Sequence, residues 1–210
     1  MFATLHRAIA PLSLAALLSA CAAVAPGDRY VAPPAGMSFT SAYRDSGSFG
    51  TGKSEVPSQV VARDWNGTPV VGFQNPQGTL LMLPQGAFIG LLGPDGKMAI
   101  SWEPATVWDF PLTVGKSWTK QYKATFHAQN RVVPFETKQV VEAYEDVVVP
   151  AGTFKTFRVR SSDTLGNENV HWFAPDVGIF VKTSLRRTDK NALGAGTRET
   201  ELQTLKRSSN

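Results

Sequence analysis

The stretch that most limits what this chain can fold into runs from Val147 to Val159 and reads VVVPAGTFKTFRV. Two runs of Val, Thr and Phe, residues suited to a pleated and half-buried surface, flank Pro150-Ala151-Gly152. Pro150 fixes its own φ and pushes Val149 into an extended conformation, while Gly152 accepts the positive φ of a tight reversal. The stretch predicts a hairpin in a large antiparallel sheet.

The rest of the chain from Met37 onward repeats this grammar. Val56–Trp65 ends at Asn66-Gly67, a two-residue hairpin signal. Asn75-Pro76-Gln77-Gly78 and Gly93-Pro94-Asp95-Gly96 are further turns, with Pro presetting φ and Gly accepting the left-handed region. Between them Thr79–Leu83 (TLLML) is apolar at four consecutive positions, which predicts a strand covered on both faces. Met98, Ile100 and Trp102 alternate with polar neighbours. Trp118, Tyr122, Ala124, Phe126 and Ala128 share a second such face. On the far side of the hairpin, Phe154 and Phe157 fall on opposite faces, which a bulge or burial on both sides would reconcile. Asn169–Phe173, Val177–Leu185 and Thr197–Leu205 continue the series, giving about thirteen strands. Gly and Pro together number 32 of 210 residues, which suits many turns and few helices.

The expected fold is all-β, a large antiparallel and strongly curved sheet, half-barrel or sandwich-like, with a closed barrel also open. The joining stretch WEPATVWDFPLTVGKSWT (Trp102–Thr119) is dense in aromatics and reads as buried. Nothing marks a linker, so residues 37–210 are expected as one domain.

The N-terminus sets the compartment. MFATLHRAIAPLSLAALLSAC has one basic residue, Arg7, no acid, and an apolar run from Ala8 to Leu18. That is the layout of a secretory signal, here an N-terminal signal helix over residues 1–20, and the run is too short for a membrane span. Leu18-Ser19-Ala20-Cys21 resembles the lipobox of bacterial lipoproteins, and Cys21 is the single cysteine. The resemblance implies cleavage between Ala20 and Cys21 and a diacylglycerol thioether plus an acyl chain (palmitate) on Cys21. Several chains make a stable anchor, which one alone does not. Ala22 in place of Asp implies the outer membrane, facing the periplasm. Residues 21–36, rich in Ala, Pro and Gly, read as a tether that lifts the folded part off the bilayer, with Tyr30 and Val31 apolar enough to pack on the domain instead.

Charge excludes little. Without Arg7, 20 basic residues face 17 acidic ones, spread along the chain, so no nucleic acid is expected. Arg186, Arg187, Lys190, Arg198, Lys206 and Arg207 collect near the C-terminus and would suit anionic headgroups or peptidoglycan; an ordinary soluble face is the plainer reading. His127 sits on a polar face, and His171, between Val170 and Trp172, reads as a satisfied, partly buried histidine. Two isolated histidines without metal-ligand spacing argue against zinc, and no cofactor is expected. No GxSxG is present in the sequence, and no Gly-rich phosphate loop opens a helix. Glu142 and Asp146 share a strand face ~13 Å apart, too far for a glycosidase pair. The chain is therefore not expected to be an enzyme.

The aromatics carry the binding expectation. Trp65, Phe88, Trp102, Trp108, Phe110, Trp118, Phe126 and Trp172 would line an apolar concave surface for a lipid or hydrophobic peptide. Filling of a β core is the plainer use of the same rings. A lipid, peptidoglycan or an envelope protein are the partners considered.

Three segments, PLTVGKSW (Pro111–Trp118), VPAGTF (Val149–Phe154) and WFAPDVG (Trp172–Gly178), resemble an uncharacterised family of bacterial envelope β-proteins. The resemblance implies a periplasmic, mostly antiparallel β fold, akin to the curved half-barrel of lipoprotein carriers. It brings neither activity nor ligand. The resulting expectation is a lipid-anchored, non-catalytic binding or scaffolding module. A carrier or chaperone for hydrophobic cargo stands second, and a hydrolase of envelope polymers third.

Overall fold

The computed structural model describes residues 27–208. Among them run twelve strands: β1 (Ser38–Gly47), β2 (Gly52–Trp65), β3 (Thr68–Asn75), β4 (Gly78–Met82), β5 (Phe88–Leu92), β6 (Met98–Thr106), β7 (Ser117–Phe126), β8 (Arg131–Val149), β9 (Gly152–Asp163), β10 (Asn167–Ala174), β11 (Ile179–Arg187) and β12 (Gly196–Lys206). One short 3-10 turn, His127–Gln129, interrupts the series where a continued strand was expected. Each strand pairs antiparallel with the next, and β1 pairs with β12 from Ser38↔Lys206 to Gly47↔Gly196. The expected curved sheet thus closes into a barrel. Closure leaves no unpaired edge, which a twisted open sheet of this size would have to protect.

Alternation assigns the two faces of the wall. On β7, Thr119, Gln121 and Lys123 are exposed while Tyr122 and Ala124 are buried. Following register from Phe126 gives one inward row across six strands: Phe126, Ile100, Leu91, Leu80, Phe73 and Val60. Asn66 (φ 52°) and Gly67 (φ 79°) make the β2–β3 reversal that the Asn-Gly pair predicted.

Two places depart from a simple wall. Strand β4 is buried on both faces, as TLLML predicted: Leu81 is 0% exposed, in a cluster with Val70 and Leu92 against Trp65, Leu83, Ile89 and Met98. The β8–β9 hairpin also outruns its neighbour. Pairing of β9 with β10 stops at Phe157↔Phe173, but β8–β9 pairing continues to Val149↔Gly152. The overhang crosses to β12, where Ala151 N–H donates to Leu202 O at 3.2 Å. Val149, Phe154 and Thr156 are buried beneath it with Ala174, Val177, Ile179, Val181 and Leu202, while Asp146, Val148, Thr153 and Lys155 stay exposed. Phe157 points the other way into the barrel. Burial on both sides reconciles Phe154 with Phe157.

Candidate functional site

Strand direction sorts the connections into two ends. In an antiparallel meander, the segment before β1 shares one end with the β2–β3, β4–β5, β6–β7, β8–β9 and β10–β11 connections. That end is plugged. The β6–β7 connection (residues 107–116) turns inward and carries Trp108, Phe110 and Leu112; Leu112 is 2% exposed. The N-terminal segment lies across it, with Leu112 N–H donating to Gly27 O at 2.6 Å and Tyr30 OH donating to Gly178 O at 2.9 Å. The described part of the expected tether, residues 27–36, therefore packs as a strap on the barrel, the course that the apolar Tyr30 and Val31 left open. The turns beneath are cut to fit it. A Cβ at Gly178 (φ 70°) would stand 2.3 Å from Val31 O, and one at Gly86 2.6 Å from the Tyr30 ring.

Phe173 of β10 is the hub of the plug. Its ring centroid lies 5.9 Å from Tyr30, 5.6 Å from Trp108, 6.2 Å from Phe110 and 6.0 Å from Phe180. Edge-to-face and stacked pairs at such distances add to the burial of the rings themselves. Lys116 ties the loop shut: its Nζ donates to Asp109 O and, at 2.9 Å, to Pro111 O, and pairs with the Asp109 carboxylate at 3.1 Å. Deeper on the inner face, His171 packs 5.0 Å from Phe180 and 6.0 Å from Trp108. Burial pushes its pKa down from 6.5 to about 4, so the ring is neutral at pH 7. Its Nδ1 is buried with no hydrogen-bond partner among the described residues, as are Trp118 Nε1 and the Gln139 side-chain oxygen, which face one another by register. The expectation of a satisfied, partly buried histidine holds for its packing and fails for the hydrogen bonding of Nδ1.

The eight aromatics proposed for one concave surface are divided. Trp108, Phe110 and Trp118 join the plug cluster. Trp102 and Phe126 sit on the inner face, by register with Ala124 and Ile100. Trp65 belongs to the β4 cluster, and Phe88 pairs with Met82 and Thr106 at a register shift. Trp172 points to the outer wall, where its Nε1 donates to Glu145 at 3.0 Å and Lys182 lies 5.6 Å from its ring. Cys21 and Ala20 lie outside the described residues.

The carboxylate reading needs correction. A bulge at Glu142, between Val141 and Ala143, shifts the parity of β8. Glu142 and Glu145, not Glu142 and Asp146, therefore meet at one place: both pair with Arg158, at 3.1 and 3.2 Å. The Arg160 guanidinium beside Glu142 holds that carboxyl below its ordinary range. Asp146 pairs with Lys155, and His127 shares a hydrogen bond with Ser101. Neither histidine stands with Glu142 or Asp146.

The basic C-terminal set is divided as well. Arg186 pairs with Glu168, and Arg207 with Asp176 at the plugged end. At the opposite mouth Arg198 grips Asp45 through two hydrogen bonds of 2.8 and 2.7 Å, which lower the Asp45 pKa. Arg187 stacks 3.8 Å above Phe49 and donates to Ser48 O. This mouth cluster escaped the sequence, since Asp45, Phe49, Arg187 and Arg198 come from segments that only barrel closure joins.

No family model matches the chain, and no curated protein matches it. Solved structures do resemble it. An exported protein with a YmcC-like fold from Bacteroides fragilis gives a TM-score of 0.50 at 13% identity, covering 86% of this chain and all of that one (100%). The hypothetical lipoprotein YmcC of Escherichia coli gives 0.45 at 10% identity, over 82% of this chain and 86% of that one. A protein assigned as a lipoprotein from Parabacteroides distasonis gives 0.44 at 12% identity, over 85% and 99%. At such identities the likeness to the Bacteroides fragilis structure is one of fold.

Proposed function

We propose that this chain is a lipid-anchored protein of the bacterial envelope, held at the periplasmic face of the outer membrane through Cys21, whose barrel binds or scaffolds and performs no catalysis. The observation that carries it is the lipobox Leu18-Ser19-Ala20-Cys21 standing six residues before the strap that plugs the barrel. The fold shared with an exported protein supports export. The tying of Glu142 and Glu145 to arginines and of His171 among rings supports a structural use of these groups. The test is metabolic labelling with palmitate. The wild-type chain takes up label and globomycin blocks its processing, whereas Cys21→Ala takes up none and leaves the membrane fraction. Label that survives Cys21→Ala would refute the anchor.

A second reading, a carrier of lipid or other hydrophobic envelope cargo, is favoured by the inward row Val60, Phe73, Leu80, Leu91, Ile100 and Phe126, of which only Val60 is fully buried. Half-accessible apolar side chains on an inner wall suit an acyl chain. Native mass spectrometry of Cys21→Ser protein purified without detergent is expected to show bound lipid under this reading. A clean apo mass counts against it.

A further inference from the structure

Five large hydrophobic residues are exposed among the described residues: Val31 (55%), Val114 (58%), Val148 (75%), Val132 (56%) and Leu193 (68%). Two of them share one end of the barrel: Val31 on the strap and Val114 on the β6–β7 loop. Val148 lies on the overhang, whose tip crosses the outer wall to Leu202 of β12, and Val132 and Leu193 lie toward the opposite mouth. Neither Val31 nor Val114 closes a core, and Val114 sits beside Gly115 (φ 88°) in a loop otherwise fastened by Lys116. Valine at the tip of such a loop, where solvent contact would favour a polar residue, points to a partner that is apolar.

Chain length identifies that partner. Gly27 is pinned at the plugged end by its carbonyl, which accepts from Leu112 N–H. Six residues from Cys21 to Gly27 span at most ~20 Å, less than the ~33 Å of a ten-residue strand such as β1. A lipid on Cys21 therefore holds the plugged end, and not the opposite mouth, close to the bilayer surface. Charge is compatible with this. Asp109, Asp146 and Asp176 at that end are paired with Lys116, Lys155 and Arg207, and Arg29 is exposed next to Tyr30.

We propose that the plugged end is a membrane-docking face, in which Val31 and Val114 enter the lipid interface and stand the barrel on end, its Arg187–Arg198 mouth turned away from the bilayer. The proposal rests on the lipid-anchor reading and adds an orientation to it. It also explains why the segments PLTVGKSW and WFAPDVG both fall at this end: they build the plug and the turn that seat the strap.

The test uses the lipidated full chain in vesicles of phosphatidylethanolamine and phosphatidylglycerol. With Cys21 acylated, a cysteine placed by Val31→Cys, Val114→Cys, Val148→Cys, Val132→Cys or Leu193→Cys is the single free thiol and takes an environment-sensitive fluorophore. Probes at 31 and 114 are expected to shift blue and to be quenched by brominated lipid, while those at 148, 132 and 193 remain as in buffer. As a second readout, Val31→Asp together with Val114→Asp in the Cys21→Ser chain lowers vesicle partitioning about ten-fold. Equal quenching at all five positions, or none at 31 and 114 in protein that floats with the vesicles, overturns docking and leaves the anchor standing. Protein that carries no lipid mass and does not float overturns both.

Discussion

Replacing Phe173 with alanine is expected to lower the unfolding free energy by about 3–5 kcal/mol, the range for removing a buried aromatic ring. Phe173 is 2% exposed and touches rings from the strap, the β6–β7 loop and β11 at once, so no single neighbour can collapse into the space it leaves. Urea unfolding followed by tryptophan fluorescence measures the loss, with Trp108 reporting the plug directly. Val148→Ala is the control. Its side chain is 75% exposed, and its change should stay within about 0.5 kcal/mol. A Phe173→Ala loss below about 1 kcal/mol would mean that strap and loop do not pack in the barrel as described, and would remove the seat that orients the docking face.

What the sequence made legible was local. The hairpin at Pro150 and the reversal at Asn66-Gly67 follow from turn chemistry within four residues, and both are present. The Trp102–Thr119 stretch was expected to be buried and is so only in part: Leu112 is buried and Trp108 and Phe110 pack with it, while Pro111, Thr113 and Val114 face solvent. Closure was not legible. It joins Ser38 to Lys206, and no residue type announces a pairing partner at that separation. The bulge at Glu142 was hidden too, since the extra residue is set by how β8 meets β9. That one residue reversed which carboxylates share a face. The division of the aromatic set was not legible, because parity along each strand is only half of the placement and the wrap of twelve strands supplies the other half. Trp172 shows this: it follows His171 in the chain and faces the opposite side of the wall.

Stability is expected to fall by about 3 kcal/mol as pH drops from 6.5 to 4, and His171 is the cause. Its ordinary pKa is 6.5, and burial in the folded protein lowers it to about 4. Above pH 6.5 both states leave the ring neutral and nothing is lost. Between 6.5 and 4 the unfolded chain binds a proton that the folded chain refuses, so each pH unit removes up to about 1.4 kcal/mol. Below 4 the folded ring also titrates and the contribution levels off. The rings packed against it, Trp108 and Phe180, carry no charge that could shelter an imidazolium. Carboxylates act lower down. Asp45 and Glu142 have pKa values held below 3.8 and 4.5, so their stabilisation is complete above those values and is lost only as pH falls beneath them. The interval from pH 6.5 to 4.5 therefore belongs to His171. His171→Phe, which keeps a ring against Phe180 and Trp108 and removes the unpartnered Nδ1, should flatten the urea midpoint across that interval. A wild-type midpoint already flat there would show that the imidazole reaches water, and that the plug is not sealed above it.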